Sequence, residues 1–182
     1  MGQYYKVTTE YDGRFRYWSM QSTFFRLSGD MKDYMPVKLM EHSWLHNSLT
    51  DFFSSLIYKK PHKVAWTGDY VDEDEVPEGW ITFKPECRED YSPVEKFNYT
   101  GLALINHDKA EYVVFDSLPE SEHGGIVYPL SLLTAIGNGR GNGDYFDTTN
   151  KYVGSWATNL VEIVPVNEVP EEYTEIHPEF KE

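Results

Sequence analysis

The sequence predicts an α+β domain: a mainly antiparallel sheet with one main helix over about residues 43–58 and one short helix over about 130–136. Three observations carry this. Short runs rich in Val, Tyr, Thr and Trp alternate with turn signals along much of the chain. One longer stretch, residues 43–58, places Trp44, Leu45, Leu49, Phe52, Phe53, Leu56 and Ile57 at three- and four-residue intervals, one broad apolar stripe. Two apolar runs, residues 102–106 and 111–115, flank His107, Asp108, Lys109 and Ala110, which is a hairpin signal.

In chain order, residues 3–9 read as a first strand, and Asp12-Gly13 as a turn. Phe15, Tyr17, Phe24, Phe25 and Leu27 supply further strand material before Ser28-Gly29-Asp30 breaks it. Ser43 is the expected N-cap of the main helix, and Pro61 lies just past its end. Residues 63–68 form a strand with Val64 and Trp66 on one face, and residues 69–79 a loop loaded with carboxylates. A short strand follows at 80–83, then a polar irregular stretch at 86–95. Pro129 opens the short helix, which carries Leu130, Leu132, Leu133 and Ile136. Residues 152–164 read as a long strand closed by Pro165. Residues 1–165 are thus expected as a single domain, and residues 166–182, with six Glu and one Lys, as an acidic tail that is partly ordered at best.

Composition bounds the function. At 182 residues, 40% hydrophobic and 16% aromatic, the chain supports a substantial core and is not disordered. It has no apolar run of membrane-spanning length and no apolar leader at its start, and Lys6 stands where a myristoylation signal has Ser or Thr. Thirty acidic against 16 basic residues give a net charge of −14, which disfavours direct binding of nucleic acid or anionic lipid and suits a basic partner. The single cysteine, Cys87, excludes an internal disulfide and points to a reducing, cytoplasmic setting. With Glu86, Glu89 and Asp90 around it, it is expected to be an ordinary thiol.

The motifs speak against familiar chemistry. The run Gly137-Asn138-Gly139-Arg140-Gly141-Asn142-Gly143-Asp144 alternates four glycines, yet matches neither a dinucleotide fingerprint nor a Walker loop, and it follows a helix instead of opening one. His42 and His46 are spaced to share a helix face, but Ser43 replaces the Glu of a zinc-protease helix, so capping and packing roles are expected. Ser155 lacks the glycine frame of a nucleophile elbow. No catalytic residue, metal ligand or cofactor is expected. Asp69 and Asp72, three apart beside aromatics, continue into Glu73, Asp74, Glu75 and Glu78. On extended backbone alternate carboxylates lie roughly 6.6 Å apart, a spacing able to present charge to a Lys- and Arg-lined channel much as a phosphate chain does. Asp69, Asp72, Glu73, Asp74, Glu75 and Glu78, with Arg140 and Asp144, are the candidate partner-binding residues. The alternative is a small enzyme or ligand-binding protein with its site where the Gly137–Asp144 loop meets Asp69, Asp72 and His42.

Several stretches carry a resemblance as a set: Gly2-Gln3-Tyr4-Tyr5, Lys38-Leu39-Met40-Glu41-His42-Ser43-Trp44, Trp66-Thr67-Gly68-Asp69-Tyr70, Leu132-Leu133-Thr134-Ala135-Ile136 running into Gly137-Asn138-Gly139-Arg140-Gly141, Asp144-Tyr145, and Val153-Gly154-Ser155-Trp156-Ala157. In this order and spacing they resemble a family of small proteins carried by bacteria, phages and mobile elements. The resemblance spans residues 2 to about 164 and extends to the type II-A anti-CRISPR proteins. It implies an inhibitor in the cytoplasm of a bacterial host that binds the guide-RNA-loaded DNA nuclease of a type II system. Such a nuclease holds its nucleic acids in positively charged channels, to which an acidic surface is suited. The resemblance assigns no individual functional residue.

Overall fold

The computed structural model describes residues 2–19, 38–80, 89–90, 94–122, 124–145 and 151–180. They form the expected α+β fold with a dominant, mostly antiparallel sheet. In chain order the elements are β1 (Tyr5–Tyr11), β2 (Arg14–Ser19), α1 (Leu39–His42), α2 (Ser48–Ile57), β3 (His62–Gly68), β4 (Glu89–Asp90), β5 (Leu102–Asn106), β6 (Glu111–Val114), α3 (Pro129–Leu133), β7 (Ala135–Ile136), β8 (Leu160–Pro165) and β9 (Thr174–Glu175). The sheet order is β4-β2-β1-β3-β8-β5-β6-β9. One edge of β3 pairs with β1 along its length; the other is shared, His62 and Lys63 bonding to β8 while Trp66 and Thr67 lie parallel to β7.

Local chemistry explains these elements. The β1–β2 hairpin closes on Asp12-Gly13, both at positive φ, the conformation that matches strand twist in a two-residue turn. The main helix, expected over about 43–58, begins at Ser48. Its cap is Asn47, not Ser43: the Asn47 side chain accepts the amides of Leu49 and Thr50 at 3.0 and 2.9 Å. His46, at φ 68°, interrupts the helical backbone just before it, so His42 and His46 share no helix face. His46 instead meets the Tyr99 ring edge-on. The short helix, expected over about 130–136, ends at Leu133, and Ala135 and Ile136 turn into strand β7. The long strand expected from residue 152 starts only at Leu160. Gly154 and Thr158 both take positive φ and fold residues 151–158 into successive turns. The expected 80–83 strand is represented only by Trp80, which is outside a strand; residues 81–83, Phe24, Phe25, Leu27 and Cys87 lie outside the described residues. Of the stretch 86–95, Glu89 and Asp90 pair with Trp18 and Ser19 as β4.

The sheet is covered on both faces. On one, α2 sets Phe52 and Phe53 edge-on against Trp18, and Phe53 against Trp66. Alongside, α3 buries Leu130, Leu132 and Leu133 completely. A buried polar network ties α2 into this layer: Tyr99 donates to Asp51 at 3.0 Å, and Ser54 Oγ lies within hydrogen-bond distance of the Tyr99 and Tyr128 hydroxyls, at 3.1 and 2.9 Å. On the other face, the loop after β3 folds back and lays Val76 and Trp80 on Ala65, with Val71 and Ile136 beside them. Further along the sheet that face belongs to Ala103, Ile105 and Val164, covered by Tyr112, Val169 and Tyr173.

The segment after Pro165 therefore has packing roles beyond its charge. β9 adds to the edge of β6, with Thr174 N–H donating to Ala110 and Ile176 N–H to Tyr112. Ile176 is 8% exposed and joins the main core, and Phe180 meets Tyr145. Ile176→Ala should cost about 2–4 kcal/mol, read as a lower midpoint in urea. Limited proteolysis of that variant should cut first within 166–180.

Candidate functional site

The acidic turn and the glycine loop meet through one ion pair. A short 3-10 turn, Glu73–Glu75, follows Asp72, and the Glu75 carboxylate does two jobs there. One oxygen accepts the Asp72 amide at 3.1 Å, and the other accepts Arg140 Nη2 at 2.6 Å. Arg140 Nη1 also donates to the Tyr70 carbonyl at 3.1 Å. Asp72, Glu73, Asp74 and Glu78 remain exposed around this brace. Asp69, at the start of the turn, pairs with the first strand's approach: its carboxylate accepts the Tyr4 amide, and its own amide donates to the Tyr4 carbonyl, both at 2.9 Å. This fixes Tyr4 and Tyr70, each more than a third exposed, beside the acidic turn.

Asp144 plays a different part. It is fully buried. One carboxylate oxygen accepts the amides of Gly139, Arg140 and Gly141 at 2.9–3.1 Å, and the other accepts the Tyr5 hydroxyl at 3.0 Å. The glycine loop thus presents an anion-binding concavity, and the chain fills it with its own carboxylate. Burial, then the Asp144 charge, pushes the Tyr5 hydroxyl far up, so Tyr5 stays a neutral donor. Gln3 closes the assembly by donating to the Gly137 carbonyl at 3.0 Å, while its own amide donates to Asn142. The glycines are required by close approach. A Cβ on Gly141 would stand 2.6 Å from the Gln3 backbone nitrogen, and one on Gly137, at φ 88°, would run into Val71.

Of the eight residues singled out from sequence, Glu75 and Arg140 form the brace, and Asp69 anchors its entry. Asp72, Glu73, Asp74 and Glu78 are presented to solvent, and Asp144 lies beneath the surface. Sequence reasoning missed Gln3, Tyr5 and Val71 as parts of this assembly. The signal was the set of stretches carrying the family resemblance, because they converge in space. Gly2 bridges to Asn142, the Met40 amide donates to Gly143, Trp66 to Thr134, Gly154 to Leu132 and Trp156 to Leu133.

Two other features lie away from this assembly. His107 sits between Glu162 and Tyr173, 3.0 Å from each, an arrangement that suggests a proton relay. Burial and then the charges of Glu172, Asp108 and Glu162 raise the Tyr173 hydroxyl, and the trio ties β8 and the β5–β6 turn to the C-terminal segment. A groove of about 150 Å³ lies between Val113, Leu118, Pro119, Ile176 and Pro178, where the neighbouring Ser117 hydroxyl is engaged by the Val114 carbonyl. Among the described residues, no group of three or more His, Cys, Asp or Glu is placed to hold a metal ion. No helix among them is long and apolar enough to cross a membrane. Comparison with protein-family models, with curated proteins and with solved structures finds no match for this chain.

Two outcomes test this geometry. Asp144→Ala leaves three inward amides and a phenol without their acceptor and should cost on the order of 3 kcal/mol or more in urea unfolding. Asp144→Asn, which keeps one oxygen for the amides and an NH₂ to face Tyr5, should recover most of that loss. The hydrogen bond from Arg140, then that from the Asp72 amide, holds the Glu75 carboxyl below its ordinary value. The brace is therefore fully present above the ordinary glutamate range and is lost as pH falls through the lowered folded value. An NMR titration should place Glu75 below the ordinary glutamate value, and Arg140→Gln should raise it toward that value.

Proposed function

We propose that this chain is an anti-CRISPR protein, an interaction protein with no catalytic role, that binds and inhibits the RNA-guided DNA nuclease of a type II CRISPR system in the cytoplasm of a bacterial host. Binding is through the acidic turn, impeding target-DNA engagement or the step that activates cleavage. The observation that carries this is the presentation of Asp72, Glu73, Asp74 and Glu78. They stand exposed on a short turn that the Arg140–Glu75 pair and the Asp69–Tyr4 exchange hold in place. A held array of carboxylates loses less entropy on binding than a solvated flexible loop. Its charge steers encounter with a channel lined by Lys and Arg, and the exposed rings of Tyr4 and Tyr70 add apolar contact beside it. The choice of a CRISPR nuclease as partner comes from the family resemblance. The net charge of −14 supports contact with the protein channel in preference to the nucleic acid within it. A ligand site at the Gly137–Asp144 loop gains no support, because the loop amides already hold Asp144.

The test is a DNA-cleavage assay in which the protein is titrated into a guide-loaded type II nuclease at low and high salt. Near-stoichiometric protein should abolish cleavage and co-elute with the nuclease, with inhibition weakening as salt rises. Asp72→Lys combined with Asp74→Lys and Glu78→Lys should lose inhibition by at least tenfold while keeping its melting temperature. Undiminished inhibition by that variant would remove the acidic turn from the interface, and no complex with any of several such nucleases would remove the partner.

A further inference from the structure

Two asparagines of this chain precede glycine, Asn138 and Asn142, and both lie in the glycine loop. An Asn-Gly pair is reactive because glycine lacks the Cβ that would keep its backbone nitrogen away from the asparagine side chain. The fold treats the two pairs in opposite ways. At Asn138 the carboxamide is held at both ends: Nδ2 donates to the Tyr145 carbonyl at 2.5 Å, and Oδ1 accepts the Tyr145 amide at 2.9 Å. The amide that follows, Gly139 N–H, donates to Asp144 at 2.9 Å. Electrophile and nucleophile are thus both engaged. At Asn142 the side chain is exposed, and among the described residues neither its carboxamide nor the Gly143 N–H takes part in a hydrogen bond. Only the carbonyls are tied here: that of Asn142 accepts the Gln3 amide at 3.1 Å, and that of Gly143 accepts the Met40 amide at 3.0 Å.

We propose that Asn142-Gly143 is a self-modification site, at which the folded chain deamidates and so loosens the junction between the glycine loop, the first strand and α1. The Gly143 nitrogen attacks Asn142 Cγ, and the new N–Cγ bond closes a cyclic succinimide. The side-chain amide leaves as ammonia, taking the proton that the Gly143 nitrogen gives up. Water then opens the ring at either carbonyl, so amide plus water gives carboxylic acid plus ammonia. Opening at one carbonyl leaves an ordinary Asp at this position. Opening at the other leaves an isoaspartyl link, in which the main chain runs through Cγ and is one methylene longer. Both products place a new negative charge beside the loop that holds buried Asp144, in a chain already at −14. The isoaspartyl product also disrupts the spacing between the Gln3–Asn142 and Met40–Gly143 bonds, which is set for adjacent α-linked residues. Gln3 closes the assembly around the loop and Met40 belongs to α1, so the isoaspartyl form is released from both. This chemistry belongs to the chain alone and is independent of the partner proposed above.

The experiment uses the full chain, incubated at neutral and mildly alkaline pH in buffer and in urea sufficient to unfold it. Peptide mapping by mass spectrometry and an isoaspartate-specific methyltransferase read the products. In buffer Asn142 should convert on the order of tenfold or more faster than Asn138, whose reaction waits on local opening of the loop. In urea both pairs are released, and the two rates should converge. Asn142→Gln, whose longer side chain closes the ring poorly, should remove the early conversion at unchanged melting temperature. Freshly prepared Asn142→Asp carries the charge alone, so the isoaspartyl fraction of aged protein should melt below that variant and exchange its Gln3 and Met40 amides faster. Equal rates at the two asparagines in buffer, an Asn142 that reacts in urea but not in buffer, or an isoaspartyl chain with the melting temperature and amide exchange of fresh protein would each overturn the proposal.

Discussion

One buried carboxylate organises the surface on which the functional reading rests. Asp144 gathers the amides of Gly139, Arg140 and Gly141 onto one oxygen, and this fixes the direction in which the Arg140 side chain leaves the loop. From there Arg140 reaches the Tyr70 carbonyl and Glu75, and Glu75 in turn holds the Asp72 amide. The chain of constraint runs from the interior to the exposed carboxylates in three steps, Asp144 to Arg140, Arg140 to Glu75 and Glu75 to Asp72. Each link is a hydrogen bond to an ionised group, the kind that is short and directional. The surface ion pair alone would contribute little to stability, since exposed pairs are screened and entropically costly. Its value here is positional.

The sheet makes this arrangement possible because β3 is asymmetric. Along one edge it pairs with β1; along the other it changes partner from β8 to β7. The switch brings the start of the glycine loop, which follows β7 directly, beside the loop that leaves the end of β3. Gly68 and Gly137 both receive the Gln3 side chain where a Cβ would not fit. The stretches Gly2–Tyr5, Lys38–Trp44, Trp66–Tyr70, Leu132–Gly141 and Val153–Ala157 are thus the walls of one junction, joining the first strand, α1, β3 and the turns before β8. Their spacing along the chain reflects packing around Asp144 and Gln3 and says nothing by itself about catalysis.

This division explains what the sequence made legible. The hairpin of β5 and β6 was visible because its signal is local: two apolar runs and a short polar connection. The main helix was visible by its stripe, but not its start. Trp44 and Leu45 fit the stripe while belonging to a turn, and only the positive φ of His46 and the bonds of Asn47 separate them from it. Residues 152–159 look like strand by composition because Val153, Trp156 and their neighbours are apolar, yet they bury those side chains from turns. In the site, exposed acids were legible as charge. The role of Asp144 was not, since its partner Tyr5 lies 139 residues away and no local pattern relates them.

Net charge is an average, and the fold separates what it averages. Four exposed carboxylates, Asp72, Glu73, Asp74 and Glu78, sit on the turn after β3 and beside it, braced from the glycine loop. On the opposite face of the sheet, Lys60 Nζ lies 4.2 Å from the Tyr11 ring centroid, with Arg14 opposite Tyr11 in the strand register. Lys59 and Lys63, close by in sequence, are each engaged with a glutamate. A field of this kind orients a partner as well as attracting it. With a Debye length of about 8 Å at physiological ionic strength, exposed charges farther apart than that act nearly independently of one another.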